Sequence, residues 1–227
     1  MLHWPIVKRL VVAVDGPSGA GKGTVARAAA RALGYRHIDT GAMYRAVAWR
    51  ALQLGVSLDD PAAVTAIARQ AAFELSDGAI SIDGHDVTAL IRTPDMDQAA
   101  TVVARNAAVR DVLVARQRAL GEGGGVVMEG RDIGTVVFAQ AEVKIYLDAS
   151  PDERARRRAA DPAHTSRATS VAHVAENLAA RDKSDSTRSV APLIRADDAV
   201  YIDTTGVAVN DVVARVLTLV RDRAAAG

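Results

Sequence analysis

The sequence predicts an α/β fold, a doubly wound parallel sheet of about five strands flanked by helices on both faces. Three observations carry that prediction. Short, continuous, β-branched apolar runs recur along the chain, longer helix-forming stretches separate them, and the glycine-rich and charged segments fall at the ends of the runs. The strands are expected at residues 10–14, 35–38, 126–128, 143–147 and 199–202. Helices are expected at residues 22–33, closed by Gly34, then from about 43 to 54, and at 106–120, 151–160, 170–181 and 209–223. In such folds ligands bind beyond the carboxyl ends of the strands. Two segments break the alternation. Residues 58–92 carry Asp77-Gly78 and Asp83-Gly84 between short alternating runs, the pattern of a small antiparallel insert. Residues 161–167 are a polar break between two arginine-bearing helices, expected as the hinge or tip of a mobile flap.

Composition narrows the function classes. The chain has 227 residues, 49% hydrophobic and 24% charged, enough to bury a sizeable core. A formal net charge of +1 argues against wholesale binding of nucleic acid or membrane, so anion recognition must rest on locally placed charges. Without cysteine there are no disulfides and no thiolate metal sites. No apolar run approaches membrane-spanning length, and residues 1–9 lack the apolar core of a signal peptide, so a cytoplasmic location is expected by default. The five histidines are scattered, which argues against a histidine metal site. Arginine is abundant while Lys8, Lys22, Lys144 and Lys183 are the only lysines. A lysine inside a motif therefore means more here than an arginine cluster does.

Four segments carry chemistry. Gly16-Pro17-Ser18-Gly19-Ala20-Gly21-Lys22-Gly23-Thr24 follows a strand and opens a helix, the setting of a P-loop. Its glycines let successive N–H groups converge on a phosphate chain at a helix N-terminus, and Lys22 supplies a point charge. Gly23, not Ser or Thr, follows the lysine. Mg2+ is therefore expected to be held mainly by phosphates and water, with the Thr24 hydroxyl as the candidate protein ligand. The second segment, Asp39-Thr40-Gly41-Ala42-Met43-Tyr44-Arg45, brings a guanidinium to the end of the second strand, where it can clamp a phosphate. The third, Glu129-Gly130-Arg131-Asp132-Ile133-Gly134-Thr135, places two acids and an arginine at another strand end, a poor recipe for a core and a good one for a site. The fourth, residues 181–188, reads on its own as a solvated charged turn.

Lys-Gly-Thr after the loop resembles the nucleoside monophosphate kinases, and the four segments together, with Ala191-Pro192-Leu193 and the insert, resemble the bacterial cytidylate kinases over residues 10–223. The resemblance implies transfer of the γ-phosphoryl group of ATP to CMP or dCMP, with Mg2+ as cofactor. A kinase of UMP or AMP on the same fold is the alternative. The resemblance also implies roles. Residues 16–24, with Lys22, would hold ATP phosphates, joined by Arg157 from a lid helix that also carries Arg154, Arg156 and Arg158. Arg45, Arg131 and Arg188 would surround the CMP phosphate and, with Lys22, carry catalysis. Asp39 and Thr40 would border that site. Thr101, Arg110 and Asp132 would read the cytosine, and Arg181 and Asp185 would contact the sugar. Thr40 and Thr101 stand where many members carry serine, and Lys183-Ser184 departs from the usual charged pair. Cytosine presents an amino donor beside ring acceptors, a complement to one carboxylate and one guanidinium; uracil reverses both. The expected organisation is one kinase unit, with a core of residues 10–57, 97–150 and 188–223, a nucleotide-side insert of 58–96 and a lid of 151–187. A monomer with no nucleic-acid or membrane partner is expected.

Overall fold

The computed structural model describes residues 9–76, 78–161 and 170–226. Asp77, residues 162–167 of the expected flap and residues 1–8 lie outside the described residues.

Five parallel strands form the main sheet: β1 (Val11–Asp15), β2 (Arg36–Asp39), β6 (Val126–Glu129), β7 (Val143–Asp148) and β8 (Val200–Asp203), in the order β2-β6-β1-β7-β8. The register pairs Val12 with Val127 on one side and with Val143 on the other. β1 is therefore the centre, and the chain leaves it toward opposite edges on its two flanks, which opens a crevice beyond its carboxyl end. The expected α/β architecture is present, with strand bounds that differ by one residue at most ends.

The helices include α1 (Lys22–Leu33), α2 (Thr40–Gln53), α5 (Ala107–Gly121), α6 (Pro151–Ala159), α7 (Val171–Thr187) and α8 (Val209–Ala225). α1 ends as expected on Gly34, whose left-handed backbone (φ 65°) lets its N–H reach back to the last turn. Two boundaries correct the sequence reading. α2 begins at Thr40 rather than near residue 43, because the Asp39 carboxylate accepts the Ala42 N–H at 3.0 Å and caps it. α7 runs to Thr187, so the expected charged turn at 181–188 is instead the last two turns of a helix.

Two further helices were not expected. α3 (Pro61–Gln70) is capped by Asp60, and α4 (Pro94–Arg105) by Thr93, each with proline in its first turn. Between them β3 (Phe73–Ser76), β4 (Ala79–Ile82) and β5 (His85–Asp86) make the antiparallel sheet expected of the insert. A five-residue π-helix, Ile133–Val137, follows β6.

The buried apolar side chains form separate clusters. One lies between the main sheet and helices α1 and α8, with Val14, Val25, Ile145, Leu147 and Val216. A second covers the other face around Ala13, Met128 and Ile133. A third is built from α2 to α5 and the small sheet, with Met43, Val47, Val64, Ile82, Ile91 and Leu113. The insert is thus packed into one body with α2, α4 and α5. The crevice lies where this body faces the main sheet.

Candidate active site

The P-loop begins where the backbone has no room for a side chain. Gly16 has φ 144°, and a Cβ there would sit 1.9 Å from the Leu147 carbonyl oxygen. Only glycine lets β1 turn so sharply beside β7. The loop delivers the chain into α1, whose N-cap Gly21 offers no side-chain partner, so the first N–H groups are left facing the crevice. Lys22 is buried, and its ammonium donates to the Pro17 carbonyl at 2.6 Å. Burial drives its pKa well below the usual lysine value, and the neighbouring Arg131 adds to the effect. A bound polyphosphate would reverse that shift.

A cavity of about 730 Å³ opens from this loop. Ser18, Gly19, Ala20, Gly21, Lys22, Gly23 and Thr24 line one end, with Arg157; Gly16 and Pro17 shape the loop from behind. The other end is lined by Asp39, Thr40, Arg45, Thr101, Arg131, Asp132, Arg181, Asp185 and Arg188. The candidate residues therefore come from α1, α2, α4, α6, α7 and the segment after β6, and they converge on one space. Arg110 does not line it. It reaches from α5 beneath the surface and pairs with Asp132 through Oδ2, while its guanidinium lies 5.6 Å from the Tyr44 ring.

Within this end, positive groups are held by carboxylates yet retain unused donors. Arg45 Nη2 donates to Asp39 at 2.9 Å, and Arg131 Nε donates to Asp185 at 3.0 Å. Burial opposes the Arg131 charge, but Asp185 outweighs it and holds the pKa above the ordinary value. Burial likewise opposes ionisation of Asp39, yet Arg45 and the Ala42 N–H keep its carboxyl below the usual range. Burial lowers Arg181 and Arg188, and raises Asp132 against the pull of Arg110 and Arg188. Arg188 Nη2 stands 3.7 Å from Asp132 Oδ1, beyond hydrogen-bond reach. Arg45 Nε, Arg181 Nε and Arg188 Nη2 are all buried with no hydrogen-bond acceptor among the described residues. Buried N–H donors without acceptors are costly, and three of them around one cavity describe a place for an anion. Thr101 donates its hydroxyl proton to the Asp97 carbonyl at 2.9 Å, leaving its oxygen to accept.

The fourth segment works because it is helical. Arg181, Asp185 and Arg188 are four and three residues apart, which puts them on one face at the end of α7. Of the lid-helix arginines, Arg156 is mostly exposed and pairs with Glu153. Arg157 spans Glu153 and the Thr204 hydroxyl and carbonyl, and Arg154 ties α6 to the loop through the Ser18 carbonyl at 3.2 Å.

Several residues escaped the sequence reading. Asp15, at the end of β1, accepts the Ile133 and Gly134 N–H groups at 2.8 and 2.7 Å and fixes the turn that presents Arg131 and Asp132. Burial pushes its carboxyl up to about 6 in spite of those two bonds. Glu129 lies against Gly23 and bonds His37 at 2.9 Å, and Tyr44 lines the cavity. Asp97 gathers arginines from three helices. An acid at a strand end was a visible signal for Asp15 and Glu129; nothing in the spacing pointed to Asp97. Among the described residues no three His, Asp or Glu side chains form a cage. Thr24 is exposed in the cavity and Glu129 faces the start of α1, which suits an ion carried in on a nucleotide.

A P-loop at the switch point of a parallel sheet, facing a second cavity end dressed with arginines, defines a P-loop kinase. Solved structures agree on the fold: a shikimate kinase from Acinetobacter baumannii in complex with shikimate matches with a TM-score of 0.52 at 17% identity, covering 95% of each chain. A gluconokinase from Sinorhizobium meliloti 1021 matches with a TM-score of 0.50 at 16% identity, covering 95% of this chain and 93% of that one. The chain belongs to the cytidylate kinase family, whose model, described as "Cytidylate kinase", matches residues 12–222. A cytidylate kinase of Solibacter usitatus (strain Ellin6076) is 50% identical, covering 97% of this chain and 96% of its own length. Those of Geobacillus kaustophilus (strain HTA426) and Desulfitobacterium hafniense (strain Y51) are 47% and 44% identical, over 95% and 97% of this chain and 98% and 96% of theirs.

Proposed function

We propose that this protein phosphorylates CMP and dCMP with ATP, in the cytoplasm, giving CDP and dCDP by direct transfer. Arg45, Arg181 and Arg188 carry the reading: all three line the cavity, and each keeps a buried guanidinium N–H without an acceptor among the described residues. A second phosphate belongs there. An oxygen of the CMP phosphate attacks the γ-phosphorus of ATP, the bond from that phosphorus to the β–γ bridging oxygen breaks, and ADP departs with the electron pair. Such a transfer needs positioning and charge more than covalent chemistry.

Residues 16–24 hold the ATP phosphates, and Lys22 leaves the Pro17 carbonyl to serve the transferring group. Arg157 closes on ATP from the lid side. Arg45, Arg131 and Arg188 fix the acceptor phosphate, with Asp39 and Thr40 bordering it, while Arg181 and Asp185 meet the sugar. Thr101 and Asp132 read the base, and Arg110 acts through Asp132, which it holds from beneath: the Asp132 carboxylate accepts from the cytosine amino group. Mg2+, when bound, neutralises charge on the phosphates being separated, and Thr24 and Glu129 are the protein oxygens placed to support its water shell.

The test is ADP release with ATP and each of CMP, dCMP, UMP, AMP and GMP, beside Lys22→Met as control. The expected result is turnover confined to the two cytidine nucleotides and abolished in the variant. Preferred turnover of UMP or AMP would assign the cavity to another base.

A further inference from the structure

Asp97 occupies the first turn of α4 with only 8% of its surface exposed. Arginines from three other helices meet on its carboxylate. Arg45 of α2 approaches at 3.5 Å and Arg181 of α7 at 3.0 Å, both to Oδ1, and Arg158 of α6 pairs with Oδ2. All three arginines also line the cavity. Their charges oppose one another: burial lowers the pKa of Arg158 and of Arg181, repulsion from Arg45 lowers both further, and Asp97 is the main influence in the other direction for each. Without a carboxylate, three guanidinium groups would not be held together there.

We propose that Asp97 is an internal counter-ion that competes with an incoming anionic substrate for Arg45, Arg181 and Arg158, making it a positioning and selectivity residue. This inference rests on reading that cavity end as the acceptor-phosphate site. Before substrate arrives Asp97 keeps the arginines gathered and ties the lid helix to the acceptor side. An incoming anion must draw them away. A nucleotide offsets that competition with its base and sugar contacts, whereas a bare inorganic anion has none to offer. The arrangement therefore discriminates against small anions.

Calorimetric titration of the whole protein with sodium sulfate, and separately with CMP, tests this without any turnover. If the arginines spend nine-tenths of their time on Asp97, affinity for an entering anion is reduced about tenfold. Asp97→Asn should therefore bind sulfate about tenfold more tightly, and CMP more tightly by a smaller factor, while Asp97→Glu should return sulfate toward wild type. Unchanged or weaker sulfate binding in Asp97→Asn overturns the proposal. Should that variant fail to fold, a crystal structure of the wild-type CMP complex decides. The competition requires Arg45 or Arg181 to leave ion-pair range of Asp97, and finding both still paired as in the empty protein overturns it. A wild-type protein that ignores CMP sinks the functional reading instead, and the sulfate comparison then still judges Asp97.

Discussion

The Asp132 carboxylate is buried against Arg110, and the proposed function adds a second task, reading the base. Asp132→Asn keeps the shape and loses the charge. Its amide can turn either its oxygen to cytosine or its NH2 to uracil, so discrimination should shrink. The ratio of kcat/KM for CMP over UMP should fall by roughly tenfold, about 1.4 kcal/mol, and an unchanged ratio would mean that Asp132 only shapes the turn. The same substitution leaves the Arg110 guanidinium buried without its partner, a loss on the order of 3 kcal/mol in stability. Asp15 makes a prediction in pH. Its folded pKa of about 6 lies above the ordinary 3.8. Between those values the folded protein binds more protons than the unfolded chain, so its contribution declines as pH rises through the window and is constant above it. Asn at this position does not titrate. The stability of Asp15→Asn relative to wild type should therefore climb from about pH 4 to 6, by on the order of 3 kcal/mol, and then level off. Melting curves across that range check it, and a flat difference would refute it. At this scale Lys22 and the glycines were legible in the sequence because their order has one physical use. Asp97 was not, since an acid that gathers distant arginines leaves no mark in local spacing.

Among the elements, α6 is the one whose position the P-loop depends on. Arg154 donates to the Ala149 and Ser18 carbonyls at 3.1 and 3.2 Å and pairs with Asp182 of α7, while a Cβ at Gly19 would fall 2.9 Å from the Arg154 Cβ. Arg154→Ala removes the bonds that join loop, α6 and α7. It should cost about 1–3 kcal/mol and raise KM for ATP several-fold with a smaller change in kcat. Steady-state kinetics with ATP varied, beside a melting curve, would show this; an unaltered KM would reduce Arg154 to a surface tie. Helices and strands of the main sheet were readable because buried parallel strands are continuous apolar runs and α1 closes on Gly34. α3 and α4 were missed although Asp60-Pro61 and Thr93-Pro94 are sound starting signals, since the insert's Asp-Gly turns drew the reading toward strands. α7 was cut short because Arg181-Asp182-Lys183-Ser184-Asp185 looks solvated until a partner surface is known. Asp185 is in fact buried against Arg131.

At the scale of the whole molecule, the apolar cluster of α2 to α5 is distinct from those against the main sheet. On the proposed reading CMP touches both that body and the P-loop side, and its binding should bring them together. The chain has no cysteine, so thiols placed at exposed Leu90 and Tyr201 accept spin labels cleanly. Their separation should shorten on adding CMP, more so with ATP present, and a distance unmoved by either nucleotide would make the body a fixed wall. This organisation was half legible: the insert was visible as an interruption, but its fusion with α2, α4 and α5 depends on contacts between residues far apart in sequence. The scarcity of lysine has a consequence for covalent chemistry. With four lysines in 227 residues, and Lys22 the one among the described residues that lines the cavity, an aldehyde- or fluorosulfonyl-bearing adenosine would find one privileged partner there. An affinity reagent of that kind, displaced by excess ATP, would turn the residue that serves the phosphates into a handle for irreversible inhibition.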